Sequence, residues 1–199
     1  MPNVRATVVT LRTTMQPQNR VLTHTIAIAN GKARSSDELD YWRLFDLNRN
    51  EVTFVDDVEK TRRTMPFAAL QQQRRELTGK PLDPNVTRAS IAPTGKTQPL
   101  LNLQATQTVI RMHAYERQLW FATHPQIPAQ LFALMHISNP PTSPMAPVMR
   151  DVDEHLTNVR GFPLSDRSEL RYGDKDVVVE RVVVSVAQQD VPRTTFEVP

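Results

Sequence analysis

Apolar and polar residues alternate along most of this chain, and the alternation gives way to a helical period in three places. The stretch 4–15, VRATVVTLRTTM, is rich in Val and Thr and reads as a strand. Residues 20–32 alternate, with Leu22, His24, Ile26 and Ile28 on one side. Residues 40–57 predict a hairpin turning at Asn48-Arg49-Asn50, with Trp42, Leu44, Val52 and Phe54 at alternate positions of its arms. A short arm over 58–65 follows it.

The first helix is predicted over 66–77, with Pro66 at its start and Gly79 and Pro81 beyond its end. Phe67, Leu70 and Leu77 fall near one face, and Gln71 to Arg75 read as the polar side. A second strand block runs from about 86 to 123. Its clearest part is 105–123, where Ile110, Met112 and Ala114 alternate with Arg111, His113 and Tyr115.

Two more helices are expected. One spans 128–137 and brings Leu131, Leu134 and Met135 together. The other spans 143–162, where Met145, Val148, Met149, Val152, Leu156 and Val159 step at helical spacing. Ser143 would cap it, Pro144 would occupy its first position, and Gly161 would stop it. Asp151, Asp153 and Glu154 would lie on its far side, and the segment 139–144 would be a rigid joint between the two helices. The last block is a hairpin around Gly173-Asp174. Its second arm is apolar at Val177–Val179 and again at Val182–Val184, as expected of a central strand covered on both sides.

Strands in meanders, interrupted by three helices, predict an α+β fold: one long curved antiparallel sheet with the helices laid on one face. No shift in composition marks a boundary within 1–199 and no repeat is present, so one domain is expected.

Composition then narrows the chemistry. The 24 basic residues are interspersed with 21 acidic ones, no basic run occurs, and aromatics are only 6%, so nucleic acid is not an expected partner. The absence of cysteine excludes disulfides, thiolate metal sites and cysteine nucleophiles. No stretch approaches the length of apolar residues that a transmembrane helix needs.

Gly95-Lys96-Thr97 invites comparison with a phosphate-binding loop, but the full motif needs a glycine where Ser90 stands and a helix after the lysine. Pro99 and a strand-like segment follow instead, so Pro93 and Gly95 are expected in a turn between strands. Five histidines show no H-x-H or H-x-x-x-H spacing; Asp151 and His155 could share a helix face, with a solvated pair as the plainer expectation and no metal expected. Asp56 and Asp57 follow a strand and point to opposite faces, so they are expected to end it at a turn. No serine sits in G-x-S-x-G, and neither catalysis nor a cofactor is expected.

Three phrases carry a resemblance: RLFDLNRNEVTFVDDVEKTRRTMPF at 43–67, GFPLSDRSEL at 161–170 and DVPRTTFEVP at 190–199. Together with the segment order they resemble an uncharacterised family of bacterial exported domains. That family is similar in fold to the outer-membrane lipoprotein carriers. Its second strand block usually holds a Gly-aromatic pair where this chain has Leu101-Asn102-Leu103.

The resemblance implies a half-barrel sheet with helices on its concave face, and a space between them that takes acyl chains. Met135, Met145 and Met149 suit a surface that repacks around apolar ligands. The expected lining is Trp42, Leu44, Val52, Phe54, Ile110, Met112, Leu131, Leu134, Met135, Met145, Met149 and Val152. The resemblance also implies a periplasmic protein whose signal peptide is absent from this sequence. The alternative is a closed module that recruits a protein partner in the cell envelope.

Overall fold

The structure, a computed structural model, describes residues 2–36, 40–139, 145–173 and 175–198. Eleven strands form one antiparallel sheet. The first six are β1 (Asn3–Gln16), β2 (Arg20–Ala29), β3 (Lys32–Ser36), β4 (Tyr41–Asp46), β5 (Glu51–Asp56) and β6 (Thr61–Pro66). Helix α1 (Phe67–Thr78) follows, then β7 (Ser90–Leu100), β8 (Leu103–Met112) and β9 (Tyr115–Ala122). Helices α2 (Leu131–Ile137) and α3 (Arg150–Asn158) precede β10 (Phe162–Tyr172), β11 (Lys175–Pro192) and a closing 3-10 turn, Arg193–Phe196.

The strand order is β6-β5-β4-β3-β2-β1-β11-β10-β9-β8-β7. Two meanders therefore flank the long central pair β1 and β11, and the sheet is not closed. One continuous apolar cluster reaches from Met65 on an edge strand to Ala105, nine strands away. In a flat sheet those positions would stand roughly 43 Å apart. A sheet curved round its helices fits that cluster, and the α+β expectation is met.

Local chemistry explains the elements, including where the sequence reading erred. The segment 20–32 is two strands, because Asn30 and Gly31 both adopt left-handed φ values, 52° and 73°, in a two-residue turn. The segment 105–123 is likewise a hairpin, turning at His113, whose φ is 47°. Gly95, at φ 73°, lies in a bulge within β7 rather than in a turn; the turn comes at Leu101-Asn102, both left-handed. No helix follows Lys96, so the phosphate-loop geometry is missing there.

Helix α3 starts at Arg150, not near 143. A helix begun at 143 would carry Pro147 in its interior, where the ring removes a hydrogen bond and clashes with the preceding turn. The expected cap at Ser143 and Pro144, most of the joint 139–144, and Asp174 of the last turn lie outside the described residues.

Gly161 connects α3 to β10 with φ 116°, and a Cβ there would stand 2.9 Å from the Ala122 carbonyl oxygen. Pro163 is accommodated in β10 by a register shift between Pro163 and Ser165. Strand β11 is central, as expected, but it is not covered on both faces. Val184 occupies a bulge opposite Thr10/Leu11 and is 44% exposed.

Candidate functional site

The helices are pinned to one another by a buried polar cluster. Arg74 is 3% exposed, and it lies on the apolar stripe of α1 with Phe67, Leu70 and Thr78 rather than on a solvated side. Its Nε donates a short bond to Oδ1 of Asp153 on α3. One terminal nitrogen donates to the carbonyls of His136, at 2.8 Å, and Asn139, at 2.6 Å, where α2 ends. The His136 carbonyl also accepts the Asn139 amide at 3.1 Å, and the guanidinium adds a charged donor at the negative end of the helix dipole. The other terminal nitrogen lies 3.0 Å from Nε2 of His136, which is itself 3.1 Å from Asp153 Oδ1. Asp153 was expected on the solvated side of its helix; it is 7% exposed because it faces α1 and α2.

Burial would raise the Asp153 pKa, but the bonds from His136 and Arg74 outweigh it and hold the carboxyl below its usual value. Burial, helped by the Arg74 charge, pushes the His136 imidazole down despite Asp153. Both groups bind protons more readily in the unfolded chain. Stability is therefore fully present above about pH 6.5, the ordinary imidazole value, and falls as the pH drops below it. It falls further as the pH passes through the carboxylate range. Melting temperatures across pH 4 to 8 should decrease on the acid side, and replacing His136 with Gln should remove the upper part of that decrease.

Below α2 a cleft opens onto the sheet, with a cavity volume of about 360 Å³. That is at the small end of ligand sites. Leu11, Ile26 and Phe162 form apolar floor, and Phe132 and Met135 of α2 form apolar roof. Phe132 meets Phe162 edge-on at 6.4 Å and Phe121 edge-on at 5.3 Å, which fixes the roof over the floor. Arg43 of β4 donates to Ser138 Oγ at 2.9 Å and Asn139 Oδ1 at 2.8 Å, tying the other side of the sheet to the end of α2.

A polar row crosses the middle of the floor. Thr13, Arg181 and Asp166 are successive register partners on β1, β11 and β10. Arg117 of β9 faces Ser168, two positions from Asp166, and reaches it diagonally. Its Nε and one terminal nitrogen each sit 2.7 Å from a different Asp166 oxygen, a two-pronged ion pair. Burial would lower the Arg117 pKa, but the Asp166 carboxylate more than offsets this, and the guanidinium stays charged. Arg181 donates from Nε to Thr13 Oγ1 at 3.2 Å.

The expected lining residues do not form one site. Met135 and Trp42 line the cleft. The Trp42 ring, however, packs with Leu44, Val55 and Phe196 on the sheet face opposite the helices, beneath the Arg34 guanidinium at 3.8 Å. The register explains the split: Trp42 pairs with Val55 and Leu44 with Thr53, whereas Val52 pairs with Phe45 and Phe54 with Arg43, on the helix side. Val52, Phe54, Leu131 and Leu134 belong to the core under α1 and α2. Ile110, Met112, Met149 and Val152 belong to a second core between α3 and β7–β9. Met145 is 38% exposed, so the three methionines occupy separate surroundings.

Of the other candidates, Asp151 pairs with Arg88 at 3.6 Å, and no cluster of three or more metal-ligating side chains occurs among the described residues. Asp56 accepts from the Val58 and Glu59 amides and so caps the turn expected there, while Asp57 accepts from the Trp42 indole at 3.0 Å. The reading of the sequence missed Arg74, Asp153, Arg117, Asp166 and Arg181. The available signal was a charge at an apolar spacing: Arg74 seven residues after Phe67, and Arg181 between two runs of valine.

No family model matches this chain, and no curated protein matches it. Among solved structures it is similar to PNGF-II in a C2 crystal form, with a TM-score of 0.52 and 11% identity over 98% of this chain and 30% of that one. A P21 crystal form of PNGF-II gives a TM-score of 0.46 at 11% identity, over 96% and 30%. The chain thus spans less than a third of the length of PNGF-II, and at this identity the likeness is one of fold alone. No helix among the described residues is long and apolar enough to cross a membrane.

Proposed function

We propose that this protein is a non-enzymatic binding protein of the bacterial cell envelope, working in the periplasm, that holds the apolar part of a lipid-like ligand between its sheet and α2. The observation that carries the proposal is the cleft itself. Apolar side chains from β1, β2, β10 and α2 converge on one opening. A curved open sheet with helices on its inner face is also the architecture of the lipoprotein carriers that the sequence resembles. Acyl chains suit such a cleft because burying each methylene contributes about 0.8 kcal/mol.

The test is native mass spectrometry of protein recovered from a bacterial periplasm. A bound mass that organic extraction releases as an acyl-chain compound is the expected result. A bare mass that also takes up no added lipid overturns the proposal. Met135 is partly buried and lines the roof, so Met135→Glu should weaken uptake of a neutral apolar fluorophore by at least about tenfold. Thermal stability should change little, and equal loss of both would reassign Met135 to core packing.

A further inference from the structure

We infer that the ligand of this cleft is an anionic amphiphile whose head group is bound by Arg181. The inference rests on the binding reading above and specifies the chemistry it left open. The cleft is lined by three guanidiniums, Arg43, Arg117 and Arg181, and one carboxylate, Asp166; Arg43 is bonded to Ser138 and Asn139 at the end of α2. Asp166 is the register partner of Arg181, but both of its oxygens accept from the Arg117 fork. Arg181 makes no ion pair among the described residues; its bond there is the one from Nε to Thr13. Its two terminal nitrogens therefore bring donors and a whole positive charge to an opening whose other walls include Leu11, Phe162 and Met135.

Arg181 is itself exposed, but its guanidinium is held in place at the cleft. Arg181 is on β11 and Thr13 on β1, the two strands at the middle of the sheet, and Thr13 is 0% exposed. The Thr13 hydroxyl holds the Nε edge of the guanidinium and leaves the terminal edge for a second partner. A carboxylate or phosphate monoester matches two adjacent N–H groups of a guanidinium. The chain attached to that head would lie against Leu11, Ile26 and Phe162.

Isothermal titration of the whole protein with decanoate, decyl phosphate and 1-decanol tests this. The three share a chain and differ in the head. One or both anions should bind at least about tenfold more tightly than the alcohol, the preference expected of a charge-assisted hydrogen bond. Which anion binds more tightly identifies the head as a carboxylate or a phosphate. Arg181→Gln should erase the preference, while Arg181→Lys should retain most of it. Equal binding of all three, or a preference that survives Arg181→Gln, overturns the assignment to Arg181 and leaves the apolar cleft standing. Failure of all three to bind overturns the cleft reading as well.

Discussion

Replacing Arg74 with Ala should cost about 3–5 kcal/mol, the loss expected when one partner of a buried ion pair is removed. The change strands Asp153, which is 7% exposed and would keep His136 as its nearest partner. It also releases the carbonyls at the end of α2 that the guanidinium satisfies. Chemical denaturation reads the loss directly. The paired replacement Arg74→Met with Asp153→Leu should recover most of it, because the desolvation of two charges disappears together with their attraction. If the single variant lost less than about 1 kcal/mol, the cluster would be no more than a surface pair in its effect. Since Arg74 joins α1, α2 and α3 at one point, the same variant should loosen the roof of the cleft. Ligand uptake should then fall along with stability.

Phe45→Ala should be comparably severe, at about 3–5 kcal/mol, for a different reason. Phe45 is 0% exposed on β4 and stacks on Phe67 of α1 with ring centroids 6.4 Å apart. Its loss removes both the burial of a large side chain and the surface that receives the first turn of α1. Phe45 is not among the residues lining the cleft. Ligand affinity measured well below the unfolding transition should therefore be nearly unchanged, which separates this variant from Arg74→Ala. Phe45→Leu, which keeps much of the volume, should cost under about 1.5 kcal/mol.

The sequence by itself determined the meanders, the hairpin at 40–57, the existence of three helices and the α+β class. These rest on local physics: period-two alternation, left-handed turns at asparagine and glycine, and proline where chains must stop. It misplaced the start of α3, because the apolar period continues through Met145 and Val148 while Pro147 forbids a helix there.

Tertiary structure decided the rest. Whether Trp42 and Val52 share a face depends on the register of β4 against β5, which local alternation does not set. Whether Arg74 and Asp153 are solvated or buried depends on two helices meeting across 79 residues of chain. The cleft draws on β1, β2, β3, β4, β9, β10, β11 and α2, and its charged row exists only because the last long strand inserts between the first strand and β10. A side chain's own neighbours in the sequence fix its conformation. They do not fix which charge from the far end of the chain will lie beside it, and that pairing determines what the cleft can bind.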